Sequence, residues 1–304
     1  MNVNKNLYKN KQQILEYLRN KADTPLVEIN KIEERETRSK QINDEIKKIT
    51  TDLINEITLL AQKESWDNTT LLNNILMITY CSYIVMIEYR NKVWPYEYMT
   101  FSRRIGELWD PFCHLCWTYN INPDINIITP PTFKDVREKL EQDLNQFIDN
   151  LKLEESEKKE LRNYHDLVWN LVTSGEVNMK LDLHFEHNGT KYMVDFKSGF
   201  SSNEKGNTNR LLLVASIYKS LNDNYECYIF VRSSEDESNH YLQTLKRSGI
   251  WHVFCADKAY EKMKEFTGFD IKKWIVDNVN WKEDFDDKTM AYFEQNNLNV
   301  YLKW

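Results

Sequence analysis

Three side chains in the middle of the chain, Asp182, Asp195 and Lys197, have the types and spacing to hydrolyse a phosphodiester. They flank Asn188-Gly189, which separates two alternating runs, residues 179–185 and 191–197. Asn-Gly in that setting specifies a two-residue type I′ hairpin, because both central residues must take positive φ. The turn then pairs His187 with Thr190, Phe185 with Tyr192 and Asp182 with Asp195. Side chains alternate along a strand, so Asp182, Asp195 and Lys197 share one face. Leu181, Leu183, Val194 and Phe196 take the other face and are expected to be buried. Two carboxylates directly opposite on a sheet repel each other. A hard divalent cation such as Mg²⁺ relieves that repulsion better than a lysine does, since it favours carboxylate oxygens. An acidic pair holding a metal, with a lysine beside it, suits attack by activated water on a phosphodiester. Read as plain structure, the same residues are surface charges on a solvent-facing hairpin, and Asp-x-Lys by itself is common.

The elements that must position these residues can be read from periodicity and punctuation. Residues 1–65 look helical and charged, with Ile46, Ile49, Leu53, Ile54, Ile57 and Leu60 at helical spacings. Asp67-Asn68-Thr69-Thr70 is a helix start signal, and the following helix, about 71–89, is the most apolar of the chain. A helix over 98–117, with Pro111 as a possible kink, leads to a short strand over 122–128. Residues 132–173 read as a helical insertion with a loop near 153–156. The hairpin comes next, then a loop over 198–207 and a helix over 208–221. A buried-type strand over 226–231, a helix over 238–247, a strand over 250–255 and helices over 257–280 complete the reading. The fold class is therefore mixed α/β: a central mixed sheet with flanking helices and a large helical N-terminal region. The expected division is residues 1–97 as a helical arm, dimerisation element or clamp, and 98–304 as the core.

Bulk composition narrows the function classes. With 41% hydrophobic and 13% aromatic residues, including 9 Trp and 17 Tyr, the chain builds a sizeable core rather than a disordered one. Only 7 Gly and 6 Pro leave long uninterrupted elements. The net charge of −7 argues against non-specific coating of nucleic acid, yet a metal site needs clustered acids and a basic cleft can coexist with an acidic exterior. Five irregularly spaced cysteines do not make a secreted disulfide framework. The N-terminus shows no apolar signal segment, and the stretch 71–87 reads as too short and too polar for a bilayer, so a cytoplasmic protein without membrane contact is expected. No nucleotide-binding glycine loop is present, and the isolated Cys113-His114-Leu115-Cys116 lacks a second pair at zinc spacing.

The order helix, strand, helical insertion, strand, strand, helix, strand, with Asp182 on one strand and Asp195-Phe196-Lys197 on the next, resembles the αβββαβ core of the PD-(D/E)XK nuclease superfamily. Within that superfamily the chain looks most like a type II restriction endonuclease. The resemblance covers about residues 98–255, and Leu181 stands where many members carry proline. It implies that Asp182, Asp195 and the carbonyl of Phe196 hold Mg²⁺ and that Lys197 touches the attacking water and the phosphate. It further implies double-stranded DNA as substrate, a homodimer, and 5′-phosphate and 3′-hydroxyl products. Members often add an acid from the helix before the first strand, for which Glu107 is the matching position and Glu176 a second candidate. The segment after Lys197 offers Ser201, Ser202, Asn203, Lys205, Asn207, Asn209 and Arg210 as DNA contacts, with Gly199 and Gly206 allowing close approach. Arg103 and Arg104 are candidate phosphate contacts. The alternatives are a structure-specific or repair nuclease on the same core, and a non-catalytic helical binding protein.

Overall fold

The computed structural model describes residues 10–172, 177–200, 204–221 and 224–304. The chain forms two compact units, one of residues 1–123 with 255–304, the other of residues 124–254. Among the described residues there are twelve α-helices and five strands.

The first unit is helical. It opens with α1 (Lys11–Ile29), α2 (Arg35–Glu64), α3 (Asn68–Val93) and α4 (Tyr98–Thr118). Local signals set these boundaries. The side chains of Asn10 and Asp67 accept the first free N–H groups of α1 and α3, and Ser65 ends α2 in the left-handed region at φ 54°. The helix α3 is apolar on every side and is buried along most of its length, as a core helix should be. It is longer than the sequence reading allowed, and its 26 residues are enough to cross a membrane by length and composition; 67% of its most apolar window is buried within the protein.

The helix α4 runs through Pro111 without a break. Its Phe112 ring meets Trp274 at 5.5 Å and Trp304 at 4.9 Å, and Trp109 Nε1 donates to Tyr260 Oη at 2.8 Å. Aromatic packing of this kind ties α4 to the C-terminal helices. The boundary between units therefore falls after α4, not at the expected 97/98 position, and α4 and the C-terminal helices share the helical unit.

The second unit holds β1 (Ile125–Ile127), α5 (Phe133–Asp149), α6 (Glu155–Val172), β2 (Leu183–His187), β3 (Thr190–Lys197), α7 (Lys205–Ser220), β4 (Tyr225–Val231), α8 (His240–Arg247) and β5, which starts at Trp251 and runs to Cys255. The sheet order is β1-β2-β3-β4-β5, antiparallel from β1 to β3 and parallel between β3 and β4. The helical unit resumes with α9 (Asp257–Thr267), α10 (Ile271–Asn278), α11 (Trp281–Asp284) and α12 (Asp287–Gln295). The first strand is shorter than expected, and α7 begins three residues earlier, at Lys205. The last two helices went unforeseen.

Candidate active site

The hairpin forms as its turn residues require. Asn188 and Gly189 take φ values of 51° and 74°, the left-handed conformation of a type I′ turn. The register pairs His187 with Thr190, Phe185 with Tyr192 and Leu183 with Val194. Leu181, Leu183, Val194 and Phe196 are all buried.

The ladder stops at Leu183, one residue short of Asp182. Asp182 sits in a bend and is not a paired strand residue opposite Asp195. Two local bonds account for the departure. His184 is buried, and its Nε2 accepts the Leu181 N–H at 3.0 Å, which curls the chain before the strand. The Asp182 carboxylate then takes over a ladder position itself, accepting the Phe196 N–H on Oδ2 at 2.7 Å. Burial pushes the His184 ring down to about 4, so it stays a neutral acceptor at neutral pH. The helix α7 supports the same bend, because Tyr218 Oη donates to the Met179 carbonyl at 3.2 Å.

Asp195 lies at the middle of the sheet, between Asp182 on one side and Ile229 of β4 on the other. Its side chain is 1% exposed, with Lys197 Nζ 2.6 Å from Oδ2 and Arg210 Nη2 3.8 Å from Oδ1. The ammonium sits at charge-assisted hydrogen-bonding distance from the buried Oδ2 and compensates its charge. Burial pushes the Asp195 carboxyl up to about 6; Lys197 and Arg210 pull it down, and the nearby charge of Asp182 pushes it further up. Asp182 is exposed, whereas Lys197 is half-buried. The Lys197 carbonyl accepts the Arg232 N–H at 2.9 Å, on the β4 side. Backbone groups alternate along a strand, so the Phe196 carbonyl points to the opposite side, the one that holds Asp182.

The other sequence-predicted residues distribute differently. Lys205, Asn207, Asn209 and Arg210 belong to α7, not to a loop. Asn207 Nδ2 bonds Glu204 Oε2 at 3.2 Å, Lys205 and Asn209 are exposed, and Arg210 turns inward to Asp195. The space beside Gly199 is taken by Ser233, whose Oγ would lie 2.9 Å from an added Cβ; nothing comes within 4 Å at Gly206. Glu107 pairs with Arg103 at 2.6 Å and Arg104 at 3.7 Å along α4, in the helical unit. Glu176, Ser201, Ser202 and Asn203 lie outside the described residues. Sequence reasoning placed Arg210 among base contacts and missed its role beside Asp195.

No three-residue group of His, Cys, Asp or Glu able to hold a metal occurs among the described residues. A magnesium ion needs fewer protein ligands, since it retains several waters and takes one or two carboxylates plus substrate phosphate. Asp182, Asp195 and the Phe196 carbonyl are hard oxygen donors of that kind, and the buried Asp195 carboxylate already draws a cation, Lys197, to Oδ2. Two cavities of about 440 and 400 Å³ line the 128–136 segment, reaching Met179 and Lys180 in the first. Neither includes Asp182 or Asp195. No known protein family, characterised protein or solved structure matches the chain.

Proposed function

We propose that this protein is a Mg²⁺-dependent DNA endonuclease of the PD-(D/E)XK type, acting as a type II restriction enzyme. The observation that carries the reading is the gathering of Asp182, Asp195 and Lys197 around the backbone of Phe196, at the end of a hairpin followed by a helix and a parallel strand. The order of strands and helices in residues 124–254 agrees with the three central strands, helix and strand of that core. The reading rests on these residues and this order alone.

Asp182, Asp195 and the Phe196 carbonyl would hold the ion. When bound, Mg²⁺ supplies a more acidic water and charge neutralisation at the phosphate. The rest falls to the side chains. Lys197, tethered to Asp195, orients the attacking water and donates to a phosphate oxygen. The water oxygen bonds to phosphorus as the bond from phosphorus to O3′ breaks; the attacking water gives up its proton to bulk solvent, and a solvent water protonates the leaving O3′. The products are a 5′-phosphate and a 3′-hydroxyl. The buried side of the sheet, with Met193 and Ile229 both at 0% exposure, keeps bulk water from the inner edge of Asp195. A homodimer would present two such sites to the two strands of a palindrome.

Incubation with plasmid and phage DNA in Mg²⁺, with mapped ends, tests the reading. Discrete fragments with 5′-phosphates are expected, and Asp182→Ala and Lys197→Ala should each slow cleavage by roughly a thousandfold or more. A smear would mark a non-specific nuclease on the same core. Intact DNA in Mg²⁺ and Mn²⁺, or a Lys197→Ala variant that cuts normally, would end the proposal and leave the non-catalytic reading.

A further inference from the structure

The site holds one more cation than the Asp-x-Lys pattern accounts for. Arg210 projects from the second turn of α7 towards Asp195, with Nη2 3.8 Å from Oδ1 and its side chain 34% exposed. That distance is beyond a hydrogen bond, so the guanidinium is close without being anchored. Lys197 already occupies the other oxygen at 2.6 Å and is less exposed, at 20%. Arg210 is therefore the more exposed of the two cations and the one more loosely paired with Asp195.

Formal charge says what it is for. Two carboxylates cancel one divalent ion. The ammonium and the guanidinium then remain as two unmatched positive charges beside Asp195. A phosphodiester carries one negative charge and an attacking hydroxide a second, and both reside on the phosphoryl group in the transition state. Lysine alone would leave that dianion half neutralised. Arginine also presents a planar fork that matches two phosphate oxygens, which a point charge does not.

We infer that Arg210 is a phosphate-binding residue of this site, which faces Asp195 when no substrate is present and contacts the non-bridging oxygens of the scissile phosphate when DNA binds. This rests on the nuclease reading for its substrate, but it is read by an independent measurement. The alternative is a purely structural counter-ion for Asp195.

The experiment compares wild type with Arg210→Gln and Arg210→Lys. One arm measures affinity for a short fluorescent DNA duplex in EDTA across a salt series; the other measures cleavage of phage DNA in Mg²⁺. Arg210→Gln should lower the slope of log affinity against log salt by about one, as for the loss of one phosphate contact. It should also slow cleavage by about a hundredfold, with Arg210→Lys in between. A structural counter-ion would instead lower the melting temperature of both variants, with the salt slope unchanged. An unchanged slope with normal cleavage overturns the inference while the nuclease reading stands. A wild type that never cuts, yet loses slope on Arg210→Gln, overturns the nuclease reading and leaves Arg210 as a phosphate contact. No cutting and no change of slope ends both.

Discussion

Glu88 in the helical unit and Asp195 in the sheet unit are both carboxylates cut off from water, 0% and 1% exposed, and burial raises the pKa of both, but they are paired differently. Glu88 has both oxygens engaged. Arg19 donates from Nε to Oε2 at 2.9 Å and from Nη2 to Oε1 at 2.6 Å, and the Asp286 N–H adds a bond to Oε1 at 2.7 Å. Arg19 also donates to the Asp284 carbonyl at 2.7 Å, so one fork joins α1, α3 and the segment around α11. Asp195 has the Lys197 ammonium 2.6 Å from one oxygen and the Arg210 guanidinium 3.8 Å from the other. A buried charge whose two oxygens are bound by a guanidinium fork and a backbone N–H behaves as architecture. A buried charge paired with two partly exposed side-chain cations leaves those cations within reach of another anion.

The contrast predicts effects of opposite sign. The largest is at Glu88. Replacing it with Ala strands Arg19 and should cost about 3–5 kcal/mol, the usual result of breaking a buried pair from one side. Urea unfolding followed by helical circular dichroism measures it, and a loss under about 1 kcal/mol would erase the distinction between the two sites.

Asp195→Asn should work the other way. The native carboxyl is raised to about 6 from an unfolded value near 3.8, so folding favours the protonated form. That contribution is complete below the unfolded value and is lost as pH rises through about 6. At pH 7.5 without metal the substitution should therefore gain on the order of 1 kcal/mol, less than the roughly 3 kcal/mol of a two-unit shift because Lys197 and Arg210 lose their partner. His184 has the reverse linkage. Its pKa falls from 6.5 to about 4 on folding, so its contribution is present above 6.5 and lost as pH falls through about 4. Between pH 4 and 6 the two slopes oppose. His184→Gln should uncover stability that rises on acidification, and Asp195→Asn stability that falls. Parallel pH profiles for the two variants would contradict this balance.

The smallest effect is at the turn. Gly189→Ala keeps every contact, since nothing lies within 4 Å of the added Cβ, and should cost about 1 kcal/mol through its φ of 74° alone. A cost above that of Glu88→Ala would mean that turn geometry, not buried charge, dominates stability.

Much of the hairpin was legible because its determinants are neighbours in sequence. Asn188-Gly189 admits few turns, and the alternation from 190 to 197 sorts the side chains by face. Asp182 was expected opposite Asp195 in the ladder and instead sits in a bend before it. The bend that frees it comes from His184 reaching back to Leu181, a side-chain bond that competes with the ladder and has no signature in hydrophobic period. Glu107 fitted a motif by spacing, but Arg103, one helical turn away, gives it a local partner that the same spacing equally supports. The helix α4 carried an apolar stripe that could face a sheet or other helices. Its rings in fact meet Trp274, Trp304 and Tyr260, from more than a hundred residues downstream.

By itself the sequence determined the turn, the faces of the two strands, the helical character of the first hundred residues and the set of groups capable of chemistry. These follow from φ preferences and from side-chain alternation, which act between adjacent residues. The tertiary structure alone decided that Asp195 is sealed from water, that Arg210 turns towards it from α7, and that Glu88 is bound by a guanidinium fork where Asp195 is not. Burial and charge compensation depend on which distant element packs against a residue, and that information is absent from any local window of the chain.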